Sequence, residues 1–219
     1  MSSFETASVL EAYQQRCEDR IAVLEEGDRT IIAVADGAGG IGGGDQAAEA
    51  VVREIKSAAK DTSTENAWVE LLRQTDLRIG QGESTAVVVD LQPSGMCGAS
   101  VGDSQAWLID QGEVISLTAN QRRKPLLGSG DAIPIGFTHN SLTGVLVVAT
   151  DGFCSYAKRA EVVKIVMQNE FVVLPRKLLA SVRLRSGALW DDVGIVVCRK
   201  RPQTKRARQR YALDLPDLS

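Results

Sequence analysis

Histidine and aromatic residues are scarce in this 219-residue chain, and cysteine occurs only four times. The single histidine, His139, leaves no set of side chains from which a serine-histidine-aspartate triad could be built. The cysteines form no CxxC pair and no close cluster with the histidine, and they stand at positions 17, 97, 154 and 198. We therefore expect reduced, structural thiols rather than a zinc site or a disulfide framework.

The chain also lacks a long apolar segment, and its first residues do not resemble a secretory leader. No apolar stretch approaches the roughly 18 to 20 residues that a membrane span needs. The first residues, Met1–Arg16, do not show the basic and then apolar layout of a signal peptide. With 44% hydrophobic and 24% charged residues, the composition is typical of a globular domain and disfavours disorder. These features predict a cytoplasmic protein with no membrane partner.

The formal net charge is only −3, but the charge is unevenly spread along the chain. Seven basic and no acidic residues lie within Arg199–Arg210, so the rest of the chain carries 18 basic against 28 acidic residues, a balance of −10. We predict one domain over residues 1–200 and a basic, flexible tail over 201–219. An acidic body is a poor nucleic-acid binder, so nucleic-acid partners are disfavoured, whereas clustered carboxylates can hold cations.

Runs rich in valine and isoleucine, many of them alternating with polar residues, dominate the pattern and predict strands. We place strands at Arg20–Glu25, Thr30–Ala35, Ser84–Leu91, Gly95–Val101, Gln105–Asp110, Glu113–Leu117, Gly144–Thr150 and Val193–Cys198. Apolar stripes at helical spacing predict two helix pairs, Gly44–Lys60 with Glu65–Arg78 and Ala157–Met167 with Leu174–Leu184. This order predicts an α+β fold with largely antiparallel sheets, and it leaves Ala119–Asn140 and the basic tail without an assignment.

Acidic residues recur where the apolar runs end. Asp36, Asp103 and Asp151 each follow a predicted strand, the pair Asp191-Asp192 leads into the last strand, and Glu18-Asp19 precedes the first. Asp-Gly pairs are also common turn chemistry, which is the simpler explanation for any single site. Strand ends meet at one edge of a sandwich, however, and a carboxylate resists burial unless it is paired or bound to metal. Ligands that are all oxygen select Mg²⁺ or Mn²⁺ over zinc.

The first of these sites continues into a glycine-rich run, Gly37–Gly44, which formally contains G-x-G-x-x-G between a strand and a helix. A dinucleotide site is disfavoured because Asp36 would face the pyrophosphate and no second acid-ended strand follows at the right distance. A P-loop is disfavoured because no Gly-Lys-Ser/Thr ends the run. We expect these glycines to let backbone carbonyls approach a metal and to leave room for substrate.

Six motifs in order resemble the metal-dependent serine/threonine protein phosphatases of type 2C, in their bacterial form. They are Glu18-Asp19, Asp36-Gly37-Ala38-Gly39-Gly40, Gly82-Glu83-Ser84-Thr85-Ala86, Val101-Gly102-Asp103-Ser104-Gln105-Ala106, Thr150-Asp151-Gly152-Phe153 and Asp191-Asp192-Val193-Gly194. The resemblance implies a four-layer fold in which a central antiparallel β-sandwich is flanked by helix pairs. It implies hydrolysis of phosphoserine and phosphothreonine on proteins by a binuclear Mg²⁺ or Mn²⁺ centre that activates a bridging water.

The resemblance also implies roles for individual residues. Asp36 would bridge the two ions, Asp151 and Asp191 would complete the first ion's ligands, and the Gly37 carbonyl with Glu18 through water would hold the second. Asp103 resembles the residue that holds a third metal together with Asp151 in bacterial members. The catalytic residues implied are Asp36, Asp151 and Asp191, whereas Asp19 and Asp192 would orient ligands or waters.

Two departures from the family pattern bear on activity. In the family, an arginine four residues before the first acidic pair usually binds the substrate phosphate. This chain has Gln14 at that position, and Arg16 is the predicted substitute. Many relatives carry a histidine as general acid where this chain has Ala38. These two departures keep a second interpretation open, a catalytically weakened module that binds a phosphoprotein or partner domain.

The partners that the resemblance implies are a phosphorylated protein substrate, a cognate kinase or the antagonist of an anti-sigma factor. We expect a monomer.

Overall fold

The strand-forming runs build two five-stranded antiparallel sheets in the computed structural model, which describes residues 2–38 and 42–202. The strands are β1 Phe4–Glu11, β2 Arg20–Glu26, β3 Arg29–Ala35, β4 Gly37–Ala38, β5 Glu83–Ser84, β6 Ala86–Gln92, β7 Gly95–Val101, β8 Gln105–Asp110, β9 Glu113–Ser116, β10 Ile135–His139, β11 Val145–Ala149 and β12 Val193–Lys200. One sheet has the order β1-β12-β11-β8-β9 and the other β10-β7-β6-β3-β2, while β4 and β5 pair separately.

The alternation within each central strand explains why both sheet faces are buried. In β3, Ile32 and Val34 lie between the two sheets, whereas Ile31 and Ala33 point to the helices outside. Successive side chains of a strand face opposite sides, so a continuous apolar run fits a strand that is covered on both faces. The inner core between the sheets is therefore closed by apolar side chains of both.

Five helices cover the outer faces in the described residues: α1 Gly44–Ala58, α2 Glu65–Arg78, α3 Asp151–Cys154, α4 Arg159–Gln168 and α5 Leu174–Ser181. Helices α1 and α2 pack on the sheet that holds β3, and the later helices pack on the sheet that holds β12. The predicted α+β class, the antiparallel β-sandwich and the four layers are confirmed. Nowhere in 2–38 or 42–202 is a helix both long enough and apolar enough to cross a bilayer.

The element boundaries depart from the predicted ones in a few places. Strand β1 has no counterpart in the prediction because its apolar alternation is weak, and β12 recruits it as an edge. Strand β10 lies inside the unassigned segment Ala119–Asn140. The predicted strand Ser84–Leu91 is split, because Thr85 stands between β5 and β6. The predicted tail falls almost entirely outside the described residues, which end at 202.

The register places the acidic motifs at one end of the sandwich. Ala35 at the end of β3 pairs with Arg20 at the start of β2, and Ala149 at the end of β11 pairs with Ile195 and Gln105. The acidic residues before β2 and β12, and those after β3, β7 and β11, are thereby brought to the same edge. His139 pairs with Met96 at the opposite end of β7, so the single histidine is remote from this edge.

Candidate metal centre

Three carboxylates from three different turns meet at this edge. Oxygen atoms of Asp36, Asp103 and Asp151 all lie within 4.8 Å of one another. Asp36 follows β3, Asp103 lies in the turn between β7 and β8, and Asp151 begins α3 directly after β11. Like charges at such separations repel strongly unless protons or cations neutralise them. Of the predicted ligands, these three form the tightest group.

The backbone at Asp36 is held in place by a small hydroxyl network. The Asp36 amide donates to Thr85 Oγ1 at 3.1 Å, and the Thr85 amide donates to the Asp36 carbonyl at 2.8 Å. Thr85 Oγ1 and Ser104 Oγ are 2.7 Å apart, which ties the Asp36 turn to the turn that carries Asp103. Because the two turns share this buried link, the spacing of their carboxylates is set by the sandwich rather than by flexible loops.

Burial and mutual repulsion disturb the titration of the carboxylates. Burial, together with the charges of Asp19 and Asp151, raises the pKa of Asp36 to about 10. Burial and then the charges of Asp192, Asp191 and Asp151 raise the pKa of Asp19 to about 7. The pKa of Asp151 is also raised, mainly by burial, although its hydrogen bond with Asp36 opposes the shift. The site as a whole therefore has too few positive charges for its carboxylates.

The buried side chain of Asp19 is a second feature that fits a bound cation. Its side chain is almost fully buried, and within 2–38 and 42–202 no group donates a hydrogen bond to Oδ2. A buried carboxylate oxygen without a donor is costly unless water or a cation satisfies it. An oxygen-only donor set with raised carboxylate pKa values fits Mg²⁺ or Mn²⁺, and it does not fit a softer metal that prefers sulfur or imidazole.

Asp192 holds the chain that carries Glu18. Its Oδ1 accepts the Tyr13 amide at 2.7 Å and its Oδ2 accepts the Glu18 amide at 2.6 Å. Neighbouring Asp191 lies outside the tight group of three, yet its charge contributes to the raised pKa of Asp36, Asp151 and Asp19. The structure thus brings the carboxylates of Glu18, Asp191 and Asp192 to the rim of the cluster.

We expect Asp192→Ala to weaken Mn²⁺ binding about tenfold or more, the usual effect of removing a side chain that orients metal ligands. The substitution leaves the amides of Tyr13 and Glu18 without their acceptor, so the segment that carries Glu18 loses its anchor. Isothermal titration calorimetry with Mn²⁺ measures the change. Asp28→Ala, at an exposed turn between β2 and β3 at the other end of the sandwich, is the matched control, and equal affinities in the two variants would contradict the anchoring role.

An open cleft of about 830 Å³ adjoins the cluster, with Gln14, Arg16, Glu18 and Asp191 in its wall. The Arg16 guanidinium hydrogen-bonds Asp45 in the first turn of α1, and most of the arginine side chain remains exposed. The structure therefore places Arg16 beside the acidic rim, with donors left over for an anion. Asp45, its partner, was not among the residues predicted from sequence, since an acid at a helix start is common without any ligand.

Arg123 is another site residue that the sequence reasoning missed. Its Nε and Nη2 atoms donate to Asp103 Oδ2 at 3.1 and 2.7 Å. The charge of Arg123 also lowers the pKa of Asp151 against the effect of burial. The arginine lies in Ala119–Asn140, where no periodicity pointed to a position, and only the return of this segment to the β7–β8 turn brings it to the cluster.

The glycines near Asp36 serve backbone packing. A Cβ on Gly37 would overlap the backbone of Gly44, and a Cβ on Gly82 would overlap that of Gly43. Strand β4 and the start of α1 therefore touch at a distance that only glycine allows. The predicted approach of the Gly37 carbonyl to a metal stays a prediction, and residues 39–41 lie outside the described residues.

Cys154 and Trp190 also lie near the carboxylate cluster. Burial raises the pKa of the Cys154 thiol well above its usual range, so this group is not a nucleophile at neutral pH. Trp190 directly precedes Asp191 and is more than half exposed in the cleft wall. Trp68 and Trp107, in contrast, are buried.

Comparison with known proteins gives one family and a consistent set of structures. The model of the family described as protein phosphatase 2C matches residues 11–126, just over half of the chain. No curated protein sequence matches. A bacterial serine phosphatase superposes with a TM-score of 0.80 at 15% identity, covering 92% of this chain and 99% of that one.

Two further solved structures are similar at the level of the fold. The S. agalactiae serine/threonine phosphatase has a TM-score of 0.77 at 19% identity, over 90% of this chain and 100% of that chain. The catalytic domain of the serine/threonine protein phosphatase PstP, in complex with two manganese ions, has a TM-score of 0.76 at 17% identity, over 90% and 97% of the two chains.

Proposed function

Because this chain belongs to the protein phosphatase 2C family, we propose that it hydrolyses phosphoserine and phosphothreonine on proteins with the help of two Mg²⁺ or Mn²⁺ ions. The observation that carries the proposal is the group Asp36, Asp103 and Asp151, whose carboxylate oxygens lie within 4.8 Å of one another. Such a group is stable in its ionised form only around cations. Oxygen ligands on rigid strand ends are suited to hold them.

The proposed ligand set follows the positions that match the family. Asp36 would be shared by the two ions, Asp151 and Asp191 would help to hold the first, and the Gly37 carbonyl, with Glu18 through water, would help to hold the second. Asp103 with Asp151 offers a third position. When bound, two such ions supply positive charge that acidifies a water and offsets the phosphoryl charge during in-line displacement. The unpartnered Oδ2 of Asp19 supports a role in orienting water beside the ions.

The side chains around this group are proposed to bind the substrate and to position the ligands. Arg16 lies in the cleft wall and is proposed to bind the substrate phosphate with the donors that Asp45 leaves free. Asp192 positions Glu18 through its two backbone hydrogen bonds. Among the described residues, burial raises the pKa of the thiols of Cys17 and Cys154, the two cysteines near this group, and His139 lies at the opposite end, so none of the three is suited to attack phosphorus.

Ala38 and Gln14 favour a second candidate function. Neither side chain can donate a proton to a leaving group or pair with a phosphate dianion as histidine and arginine can. A weakened phosphatase that mainly binds a phosphoprotein or partner domain would have the same fold. The retained carboxylate cluster argues against this candidate, because a binding module has little need to keep repelling acids buried together.

We expect the purified protein to cleave p-nitrophenyl phosphate in the presence of Mn²⁺ and to lose that activity completely in EDTA. The reason is that, within the described residues, nothing but the carboxylate cluster can organise a water for attack. Calorimetry with Mn²⁺ separates the two candidates. Binding of Mn²⁺ with turnover supports the phosphatase, whereas the absence of binding at millimolar metal would reject the metal-dependent mechanism and favour the binding module.

The proposal extends to the partners, the oligomeric state, the location and the domain organisation of the protein. We propose a phosphoprotein substrate paired with a cognate kinase or with an anti-sigma-factor antagonist, a monomeric state and a cytoplasmic location. We also propose that residues 1–200 form the catalytic domain and that 201–219 act as a basic tail. Native mass spectrometry of the full chain and of a chain ending at residue 200 would test the monomer and the independence of the domain together.

A further inference from the structure

The exposed aromatic side chains of the described residues are gathered at one place. The chain has four phenylalanines, three tryptophans and three tyrosines, and all except Tyr211 lie in the described residues. Six of these nine side chains are buried. The other three are Tyr13, Tyr156 and Trp190, which are 49%, 44% and 54% exposed. Tyr13 and Trp190 line the cleft beside the carboxylate cluster, and Tyr156 contacts Trp190.

Tyr156 and Trp190 form a stacked pair. Their ring centroids are 5.7 Å apart and their planes are inclined by only 9°. Trp190 is held between Leu189, which is buried in the core beneath the helices, and Asp191 of the proposed metal site. The Tyr156 amide donates to the Phe153 carbonyl at 3.2 Å, which fixes the turn after α3. The stack is therefore a half-exposed aromatic surface, and such surfaces are typical of binding sites.

Next to Trp190, the carboxylates outnumber the positive charges when two divalent ions are counted, whereas the exposed Lys158 and Arg159 follow Tyr156 in the chain. Seven carboxylates lie at the site, those of Glu18, Asp19, Asp36, Asp103, Asp151, Asp191 and Asp192. Two divalent cations and Arg123 would offset five of the seven charges, and Arg16 is already paired with Asp45. Three of these carboxylates, those of Glu18, Asp191 and Asp192, line the cleft together with Trp190. A cation brought there meets both an aromatic face and unbalanced carboxylates.

We infer that the Tyr156–Trp190 surface, with Tyr13 beside it, docks an arginine side chain of the substrate near its phosphorylated residue. This inference rests on the proposed phosphatase function and names the class of substrate, a phosphoprotein with a basic residue close to the phosphoserine or phosphothreonine. Arginine suits the site because its planar guanidinium stacks on an indole and still donates hydrogen bonds at its edge to carboxylates. A leucine would use the aromatic face alone, and a glutamate would meet the acidic rim with repulsion.

The test uses phosphoserine peptides built on alanine, each with one arginine within three residues of the phosphoserine. At one position, arginine is expected to raise kcat/KM about fivefold to tenfold over the all-alanine peptide, the range open to a partly exposed cation–π contact with nearby carboxylates. Leucine and glutamate at that position should give no such gain. In Trp190→Ala and in Tyr156→Ala the gain from arginine should disappear. Tyr156 is not adjacent to a proposed ligand, so its variant guards against damage to the metal site.

Leu77→Ala is the matched control, because Leu77 on α2 is 72% exposed and lies on the other sheet's helix layer. It should keep the full preference for arginine. A preference that persists in both aromatic variants, or a leucine peptide that equals the arginine peptide, would overturn the inference. The first result would mean that the aromatic surface does not recognise the substrate arginine. The second would mean that the surface binds an apolar side chain rather than a basic one.

A binding measurement distinguishes failure of this inference from failure of the proposed function. Trp190 is the exposed tryptophan of the described residues, so the unphosphorylated arginine peptide should quench its fluorescence without any turnover, and Trp190→Phe should abolish that response. Quenching without Mn²⁺-dependent hydrolysis would keep the docking surface and reject the phosphatase. Hydrolysis without quenching and without a preference for arginine would keep the phosphatase and reject the docking surface.

Discussion

Asp36→Asn is expected to lower the Mn²⁺-dependent kcat/KM for p-nitrophenyl phosphate by about a thousandfold or more. Asp36 lies at the centre of the carboxylate group and is the proposed bridge between two ions. Lewis-acid stabilisation of a phosphoryl transition state is worth several kcal/mol, and each 1.36 kcal/mol corresponds to a factor of ten in rate. Asparagine keeps the shape of the side chain and its amide oxygen, but it lacks the charge and the second ligand oxygen.

The control for this variant is Asp28→Asn, the same chemical change in an exposed turn at the far end of the sandwich. It should retain full activity, and both variants should keep the circular dichroism spectrum of the parent protein. Asp151→Asn is expected to resemble Asp36→Asn, because the two carboxylates share the cluster. Substantial activity in either variant would refute the proposed mechanism while leaving the family membership in place.

Metal-free protein should become less stable as the pH rises from about 4 towards 8, and Mn²⁺ should restore the loss. The sign follows from the raised pKa values of Asp19, to about 7, and Asp36, to about 10, compared with 3.8 in the unfolded chain. The folded state then binds more protons than the unfolded state. The stabilisation that these two protonated carboxyl groups contribute is fully present below about pH 4 and is lost as the pH rises through their folded pKa values.

Two bound ions, each present at about 100 times its dissociation constant, would add about 5 kcal/mol to the free energy of unfolding. Thermal melting with and without Mn²⁺ at pH 5 and pH 8 measures the effect, and the gain should be larger at pH 8, where the carboxylates compete with fewer protons. The metal-free Asp36→Asn variant should show a weaker pH dependence because asparagine does not titrate. A metal-free melting temperature that rises with pH would contradict the assigned repulsion.

The fold class could be predicted because it depends on short-range patterns. Valine and isoleucine runs such as β3 and β12 form strands in any context that covers both faces, and the stripes of α1 and α2 have one apolar side. Strand β1 could not be predicted, because its residues become a strand only when β12 offers an edge to pair with. The same holds for β10, which has a glycine in its middle and depends on β7.

The sequence by itself determined the order of the acidic motifs and their attachment to strand ends, because both are local properties of the chain. Only the tertiary structure decided which carboxylates meet, since Asp36, Asp103 and Asp151 become neighbours through the closure of two sheets. It also decided that Arg123 reaches Asp103, that Asp192 binds the amides of Tyr13 and Glu18, and that Trp190 is exposed. These contacts join residues far apart in the chain, and their energy depends on packing that no local pattern encodes.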